Sequence, residues 1–225
     1  MELFLDTANL KDIKRAQEFY PILGITTNPS IIAKENNVDF YNIIKNIRDV
    51  IGNSSLLHVQ MVGKTAEIMV DEFACLEDKI GGELVAKIPL TEQGLKAMRL
   101  LAAKGKRITA TAVITPMQAL MAAQAGAEYI APYLNRMQNI GIDAIEAIAL
   151  MVQILDNSST GAKILAASFK NVGQMNDVAR VGCHSATVNP ETFFQSIQHP
   201  LTDSGLAGFE KDWQSIYHNK TLLDL

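Results

Sequence analysis

One lysine interrupts an apolar run. Lys87 follows Leu84-Val85-Ala86 and precedes Ile88-Pro89, so its ammonium would face a desolvated interior in a buried strand. A buried lysine holds its proton less tightly than an exposed one, and its free amine adds to carbonyl groups. We therefore predict that Lys87 forms a Schiff base with a ketone. Two structural roles stay open: a side chain that reaches the rim, or a salt bridge with Asp6.

Two other lysines are less well placed for this chemistry. Lys163 begins a predicted strand, at the end where side chains serve stability, and Lys170 lies beyond the end of that strand. Neither is expected to lie among apolar side chains close to the other candidate site residues. Lys87 is therefore the predicted nucleophile.

Further polar residues follow the predicted strands near their carboxyl ends, where parallel barrels carry their active sites. They are Asp6, Thr26, Thr27, Asn28, Gln60, Thr111, Tyr133, Arg136 and Ser168. Any one of them can be read as a cap or a solvated side chain, but their occurrence at so many strand ends favours one site. Asp6 is the only carboxylate in the set, which makes it the predicted general base. Arg136 and Ser168 offer a cation and a hydroxyl that suit a phosphate group.

Short apolar runs alternate with helical patterns along the chain, as expected of parallel β/α units. The predicted strands are Glu2–Asp6, Leu23–Thr26, Leu56–Met61, Leu84–Ile88, Ile108–Val113, Tyr129–Pro132, Lys163–Ala167 and Ser185–Val188. An open doubly wound sheet is disfavoured, because neither GxGxxG nor GxxxxGK[ST] follows the first strand. The sequence predicts an α/β protein with a (β/α)₈ TIM barrel as one domain over residues 1–225.

Helix signals occupy the segments between the strands. Asn9, Thr91 and the pair Thr115-Pro116 stand where helix starts are expected. An additional C-terminal helix is predicted over residues 206–217, with Phe209, Trp213 and Tyr217 at helical spacing. These aromatic side chains must cover apolar surface, either on the barrel or on a neighbouring subunit.

Composition excludes several classes of function. The formal net charge of −4 and the lack of a dense Lys/Arg cluster argue against nucleic acid as a partner. No apolar run approaches the roughly 20 residues that span a bilayer, and no secretion signal is recognised at the N-terminus. Cys75 and Cys183 form no CxxC pair, so we expect buried thiols in a reducing cytoplasm.

Metal chemistry is also disfavoured. The histidines are scattered and show no HxH or HExxH spacing, namely His58, His184, His199 and His218. We therefore expect neither a metal site nor a zinc-dependent aldolase.

Several motifs resemble those of the small transaldolases and fructose-6-phosphate aldolases. They are Leu5-Asp6-Thr7, Gly24-Ile25-Thr26-Thr27-Asn28-Pro29-Ser30-Ile31, Lys87-Ile88-Pro89, Gln124-Ala125-Gly126-Ala127, Ala166-Ala167-Ser168-Phe169-Lys170 and Phe209-Glu210-Lys211-Asp212-Trp213. The likeness runs from residue 2 to about residue 217, and Thr-Thr-Asn-Pro-Ser after a strand is its most specific part. The resemblance implies a cofactor-free enzyme acting on sugar phosphates, assembled as pentameric rings or stacked decamers with the C-terminal helix on a neighbour.

The resemblance also implies roles for individual residues. Lys87 is the Schiff-base lysine and Asp6 the acid/base carboxylate. Asn28 helps to position the substrate, and Arg136 and Ser168 bind its phosphate. Thr26, at the end of the second predicted strand, is a further predicted substrate-binding residue.

Two positions separate the branches of this family. By resemblance, the transaldolase branch has Glu and Phe at the positions of Gln60 and Tyr133. Gln60 and Tyr133 of this chain match the aldolase branch instead. A phenol beside a water fixed by Gln60 and Thr111 can protonate the enamine and release dihydroxyacetone. Thr109-Ala110 before Thr111 departs from the bulkier or glycine-containing versions of the motif, so a shifted donor preference stays open.

The leading prediction is therefore a class I aldolase that cleaves fructose 6-phosphate. Two alternatives stay open. One is a transaldolase, which transfers a dihydroxyacetone unit between sugar phosphates in the pentose phosphate pathway. The other is a non-catalytic barrel that binds a sugar phosphate.

Overall fold

The computed structural model describes residues 1–35 and 39–225. Its parallel strands close into a barrel in chain order, with β8 beside β1. They are β1 (Glu2–Asp6), β2 (Gly24–Thr26), β3 (Leu56–Gln60), β4 (Leu84–Pro89), β5 (Ile108–Val113), β6 (Tyr129–Pro132), β7 (Lys163–Ala166) and β8 (Ser185–Val188). The predicted (β/α)₈ barrel is confirmed, and no predicted strand end is displaced by more than one residue.

Helices follow the strands along the chain. They are α1 (Leu10–Phe19), α2 (Pro29–Ile32), α3 (Phe40–Ile51), α4 (Ala66–Ile80), α5 (Glu92–Ala102), α6 (Pro116–Gln124), α7 (Leu134–Asn139), α8 (Ala144–Asp156), α9 (Val172–Arg180), α10 (Pro190–Gln195) and α11 (Pro200–Tyr217). Asn9, Thr91 and Thr115 cap α1, α5 and α6 through their side-chain oxygens, as the sequence predicts. Gly94 in α5 is required by a close approach to β4, because a Cβ there would lie 1.9 Å from the carbonyl oxygen of Pro89.

The barrel interior explains how the sequence directs its polar side chains. Buried side chains from five strands pack together in one cluster, namely Phe4, Leu56, Val85, Tyr129 and Leu165. Successive residues of a strand point to opposite faces, so the next inward positions toward the carboxyl ends lie two residues further along. On β1, β3 and β4 these positions hold Asp6, His58 and Lys87. The apolar layer therefore supports a polar layer at the active face of the barrel.

The chain divides into two compact units, Met1–Phe193 and Phe194–Leu225. The second unit contains α11, in which the rings of Trp213 and Tyr217 lie 4.5 Å apart between centroids. The predicted C-terminal helix is present, but it begins at Pro200 rather than residue 206. Its packing on a neighbouring subunit, and a single domain over residues 1–225, stay predictions. No helix within residues 1–35 and 39–225 is long and apolar enough to cross a membrane.

Candidate active site

Lys87 lies inside the barrel mouth with only 4% of its surface exposed. Its Nζ donates a hydrogen bond to the backbone oxygen of Thr27 at 3.0 Å. The side chain therefore does not reach solvent, and it takes part in no ion pair among the described residues. Neither of the two structural roles considered from the sequence fits this geometry. What remains is a desolvated amine at the active face.

Asp6 presents its carboxylate beside Lys87 at the end of β1. Its Oδ1 accepts a hydrogen bond of 2.6 Å from Thr26. Burial raises the pKa of Asp6 above its ordinary value. The positive charge of Lys87, the hydrogen bond from Thr26 and the charge of Lys34 act in the opposite direction, in that order of size. A carboxylate with increased proton affinity next to an amine is suited to accept and return a substrate proton.

Thr26 is engaged within the protein. Besides its contact with Asp6, its Oγ1 lies 2.6 Å from Oγ1 of Thr187 on β8. The sequence prediction assigned Thr26 to substrate binding and did not include Thr187. The structure brings both hydroxyls together next to the carboxylate, where Thr26 is 1% and Thr187 2% exposed. Substrate binding by Thr26 stays a prediction.

Thr111 and Tyr133 meet at the opposite side of the mouth. The distance between Thr111 Oγ1 and the phenol oxygen of Tyr133 is 2.9 Å. The pairing of β5 with β6 changes register between Thr111 and Val113, and Ala112 between them has a φ of 62°. A β-bulge of this kind redirects the side chains next to it. Here it accompanies the contact between the hydroxyl of β5 and the phenol that follows β6.

Arg136 lies on α7, the short helix after β6, and Ser168 lies in the loop after β7. The guanidinium of Arg136 stacks over the ring of Tyr133, with Cζ 4.6 Å from the ring centroid. Ser168 adopts a φ of 69°, and its carbonyl accepts a hydrogen bond from the backbone nitrogen of Asn135 at 3.3 Å. An exposed cation and a partly exposed hydroxyl are thus available at this edge for an anionic group.

Asn28 and Gln60 lie on the β2–β3 side. Asn28 Oδ1 caps α2 by accepting from the nitrogen of Ile31 at 3.0 Å, and its amide nitrogen has no partner among the described residues. Gln60 is the register partner of Lys87. Both residues border a largely apolar cavity of about 370 Å³, together with Pro29, Ile32, Phe40, Met61 and others. Neither Lys87 nor Asp6 lines that cavity, so we place the chemistry at the barrel mouth and not in the cavity itself.

His58 is a buried polar residue that sequence reasoning did not select. Its Nδ1 lies 2.9 Å from Oγ1 of Thr109, while Nε2 has no hydrogen-bond partner among the described residues. Full burial, reinforced by the charges of Lys87 and Arg107, lowers its pKa well below 6.5. The imidazole is therefore neutral. In the sequence, a lone histidine within an apolar run gave no indication that it would be fully buried and neutral.

The rival Lys163 and the two cysteines lie away from this site. Lys163 pairs with Glu2 at the amino end of the barrel, away from Asp6 and Lys87. Cys183 is buried as expected, whereas Cys75 is partly exposed, because it packs on the outer helix α4 beside Tyr41. Within residues 1–35 and 39–225, no group of three acidic, histidine or cysteine side chains is arranged to hold a metal ion.

Comparison of the sequence with known proteins identifies one family. Residues 3–220 match the model of the Transaldolase/Fructose-6-phosphate aldolase family. A probable fructose-6-phosphate aldolase of Streptococcus pneumoniae is 36% identical over 222 residues, which covers 99% of this chain and 100% of that protein. Probable transaldolase 2 of Listeria monocytogenes is 41% identical over 215 residues, covering 96% of this chain and 97% of that protein.

Solved structures resemble the chain in fold. Thiamine phosphate pyrophosphorylase from Pyrococcus furiosus has a TM-score of 0.60 at 16% identity, covering 84% of this chain and 85% of that one. A structure described as native KDPGal has a TM-score of 0.59 at 16% identity, covering 84% and 82%. These identities support the barrel fold alone. The sequence matches extend over nearly the full length at much higher identity, and they show that the chain belongs to the Transaldolase/Fructose-6-phosphate aldolase family of enzymes.

Proposed function

We propose that the protein is a class I aldolase that cleaves fructose 6-phosphate into dihydroxyacetone and glyceraldehyde 3-phosphate. The observation that carries the proposal is the contact between the phenol of Tyr133 and Thr111 Oγ1, at 2.9 Å. This contact supplies a proton donor at the mouth where the Lys87 amine lies. The choice between cleavage and transfer depends on such a donor.

The reaction begins at Lys87. Its free amine attacks the C2 carbonyl of the ketose, and loss of water gives the protonated Schiff base. Asp6 then accepts the proton of the C4 hydroxyl, the bond between C3 and C4 breaks, and the electron pair of that bond forms the enamine. Glyceraldehyde 3-phosphate leaves. The iminium acts as the electron sink, so the step needs no metal or cofactor.

The second half of the reaction depends on Tyr133. Its phenol, through a water held by Gln60 and Thr111, delivers a proton to C3 of the enamine and is reprotonated from solvent. Asp6 releases to solvent the proton that it took from the C4 hydroxyl. Hydrolysis of the resulting Schiff base consumes the water released earlier and frees both dihydroxyacetone and the Lys87 amine. Arg136 and Ser168 hold the phosphate, and Asn28 positions the hydroxyls through its unpartnered amide nitrogen.

The first experiment traps the intermediate. We expect borohydride, added during turnover of fructose 6-phosphate, to attach a reduced three-carbon unit to Lys87, identified by peptide mass spectrometry. Lys163→Met is the matched control, because Lys163 is bound to Glu2 at the other end of the barrel, and it should leave labelling intact. An adduct confined to Lys163 or Lys170 would contradict the assignment.

Transaldolase activity is the second candidate, favoured by the several relatives named as transaldolases. In that reaction the enamine survives until it attacks an acceptor such as erythrose 4-phosphate. The products formed from fructose 6-phosphate alone distinguish the two. Free dihydroxyacetone without an acceptor supports the aldolase, whereas strict dependence on an acceptor removes it.

We further propose that the enzyme is a cytoplasmic homo-oligomer, a pentamer or a decamer of two rings. The support is the exposed apolar surface of α11, on which Leu206, Phe209 and Ile216 each expose 60% or more of their surface. Such a surface is typical of an interface between subunits. The non-catalytic barrel finds no support in the site, because binding a phosphate requires no lysine buried at the base of the mouth.

A further inference from the structure

A chain of hydroxyl groups leads from β8 to the carboxylate of Asp6. Thr26 Oγ1 lies 2.6 Å from Asp6 Oδ1 and 2.6 Å from Thr187 Oγ1. The strands β2 and β8 are the two neighbours of β1 in the closed barrel. The contact between Thr187 and Thr26 therefore crosses the inner face of β1, the strand that carries Asp6.

The number of protons fixes the direction of this chain. An ionised carboxylate only accepts, so Thr26 must donate its single hydroxyl proton to Asp6. Thr26 then has no proton left for Thr187, and Thr187 must donate to Thr26. The order is Thr187 to Thr26 to Asp6, and consecutive hydrogen bonds of this kind polarise one another. Both threonines are at most 2% exposed, so water does not compete for their hydroxyls.

The chain occupies one oxygen of the carboxylate. Oδ1 accepts from Thr26, while Oδ2 has no hydrogen-bond partner among the described residues. The rotation of the carboxylate is thereby restricted, and Oδ2 is left for the substrate. Thr187 lies on β8, the one strand without a candidate site residue predicted from the sequence.

We propose that Thr187 is a positioning residue for the acid/base chemistry of Asp6, acting through Thr26. Thr187 keeps Thr26 oriented as a donor and strengthens its bond to the ionised carboxylate. This proposal rests on the proposed role of Asp6 in accepting the C4 hydroxyl proton. It adds a residue of β8 whose hydroxyl reaches the carboxylate through Thr26.

The proposal predicts a specific effect on the dependence of rate on pH. Burial raises the pKa of Asp6, and the hydrogen bond from Thr26 opposes that effect. Lys87 from β4 and Lys34 after α2 are the charged groups that act on this carboxylate. Both lysines are retained in a Thr187 variant, so loss of the Thr187 hydroxyl weakens only the hydrogen bond from Thr26 to Asp6. The carboxylate then takes up a proton at higher pH, and the acid limb of the kcat/KM profile moves upward.

The experiment compares Thr187→Val, which keeps the size of the side chain and removes the hydroxyl, with Thr187→Ser, which restores it. We expect Thr187→Val to lower kcat for cleavage of fructose 6-phosphate about fivefold, the scale of one weakened hydrogen bond, and to shift the acid limb upward. Thr187→Ser should recover both. If Thr187→Val does not fold, Thr187→Cys takes its place, because a thiol of similar size is a poor donor.

Two outcomes overturn the proposal: an unchanged kcat and pH profile in Thr187→Val, or a loss in Thr187→Ser that equals the loss in Thr187→Val. The second outcome would assign Thr187 to packing alone. Trapping with dihydroxyacetone and borohydride separates this test from that of the proposed function. The adduct at Lys87 should still form in Thr187→Val, whereas its absence from the wild-type protein would refute the Schiff-base mechanism whatever the effect of Thr187.

Discussion

Thr111 and Tyr133 place their oxygen atoms 2.9 Å apart even though one belongs to a strand and the other to the loop after the next strand. The bulge that accompanies this contact requires Ala112 to adopt a φ of 62°. A non-glycine residue in this region costs about 1 kcal/mol or more. This backbone strain occurs at the point where the phenol that we propose as proton donor contacts the Thr111 hydroxyl.

Replacement of Tyr133 by Phe is expected to redirect the enamine. Without the phenol, protonation of the enamine slows by roughly 10²-fold, the usual contribution of a general acid. The intermediate then survives long enough to attack an acceptor aldehyde. The measurement is the ratio of free dihydroxyacetone to sedoheptulose 7-phosphate, when fructose 6-phosphate and erythrose 4-phosphate are supplied together.

The control for this variant is Tyr129→Phe. Tyr129 is a buried tyrosine whose hydroxyl donates to Glu2 at the other end of the barrel. Its replacement should leave the product ratio unchanged. An identical ratio in Tyr133→Phe and the wild-type protein would exclude the phenol as the proton donor.

Thr111→Val tests whether the phenol needs its partner. The variant keeps the shape of a side chain that is fully buried and removes the oxygen that contacts Tyr133. We expect less release of dihydroxyacetone, by about fivefold for one lost hydrogen bond, with unchanged Schiff-base trapping at Lys87. Thr111→Ser retains the hydroxyl and should remain close to the wild-type protein; equal losses in both variants would indicate a packing effect.

Arg136 is expected to determine the preference for phosphorylated substrates. Its charge lies at the mouth, stacked on the ring of Tyr133. Loss of one charged hydrogen bond to a phosphate costs about 1.5–3 kcal/mol, so Arg136→Ala should raise KM for fructose 6-phosphate by roughly 10- to 100-fold. Cleavage of unphosphorylated fructose should change little.

A matched arginine is available for comparison. Arg180 is exposed and pairs with Asp177 on α9, so Arg180→Ala should leave both KM values unchanged. If Arg136→Ala affects fructose and fructose 6-phosphate equally, Arg136 does not act on the phosphate.

His58 is expected to make stability depend on pH. Burial lowers its pKa well below 6.5, so below that pH the unfolded chain binds a proton that the native state excludes. The free energy of unfolding therefore falls as the pH decreases from about 6.5, by up to about 1.4 kcal/mol per unit. Asp6, whose pKa is raised, contributes the opposite slope above 3.8, so the wild-type curve contains both effects.

Denaturation of His58→Phe isolates the histidine. The difference in unfolding free energy between the wild-type protein and this variant should be constant above pH 7 and should shift in favour of the variant at pH 5.5. The His58→Phe replacement leaves the Thr109 hydroxyl without its partner. Adding Thr109→Val removes that hydroxyl and should recover stability lost in the single variant. A difference that does not change with pH would mean that the native state accommodates the charged imidazole.

The sequence was sufficient to predict the strands and the layer of inward-facing side chains. Apolar runs buried on both faces define the strands, and the alternation of side chains places Asp6 and Lys87 on the inner face. The left-handed conformations of Ala112 and Ser168 had no signal, because neither is a glycine and neither follows a turn motif. Thr187 was missed for a related reason. A short strand of small residues shows no functional pattern, and only the closure of the barrel brings β8 next to β2 across β1.

The start of α11 was also missed. Pro200 and its cap His199 begin the helix, but the glycines at positions 205 and 208 weaken the helical pattern before residue 209. Despite the low helix propensity of these glycines, the structure contains a continuous helix of 18 residues there.

The surface of that helix leads to the last prediction. Leu206, Phe209 and Ile216 recur at spacings that place them on one side of α11, and each is largely exposed in the single chain. We expect light scattering to give a mass several times the 24.6 kDa of one chain. Phe209→Asp should lower that mass, because a charge in an apolar interface is not compensated.

Lys211→Asp provides the control. Lys211 lies two residues from Phe209 and therefore on another side of the helix. A charge placed there should leave the assembly intact, although it alters the net charge of the chain. If both variants dissociate, general electrostatic repulsion explains the result; if the wild-type protein is a monomer, the apolar side of α11 is not an interface between copies of this chain.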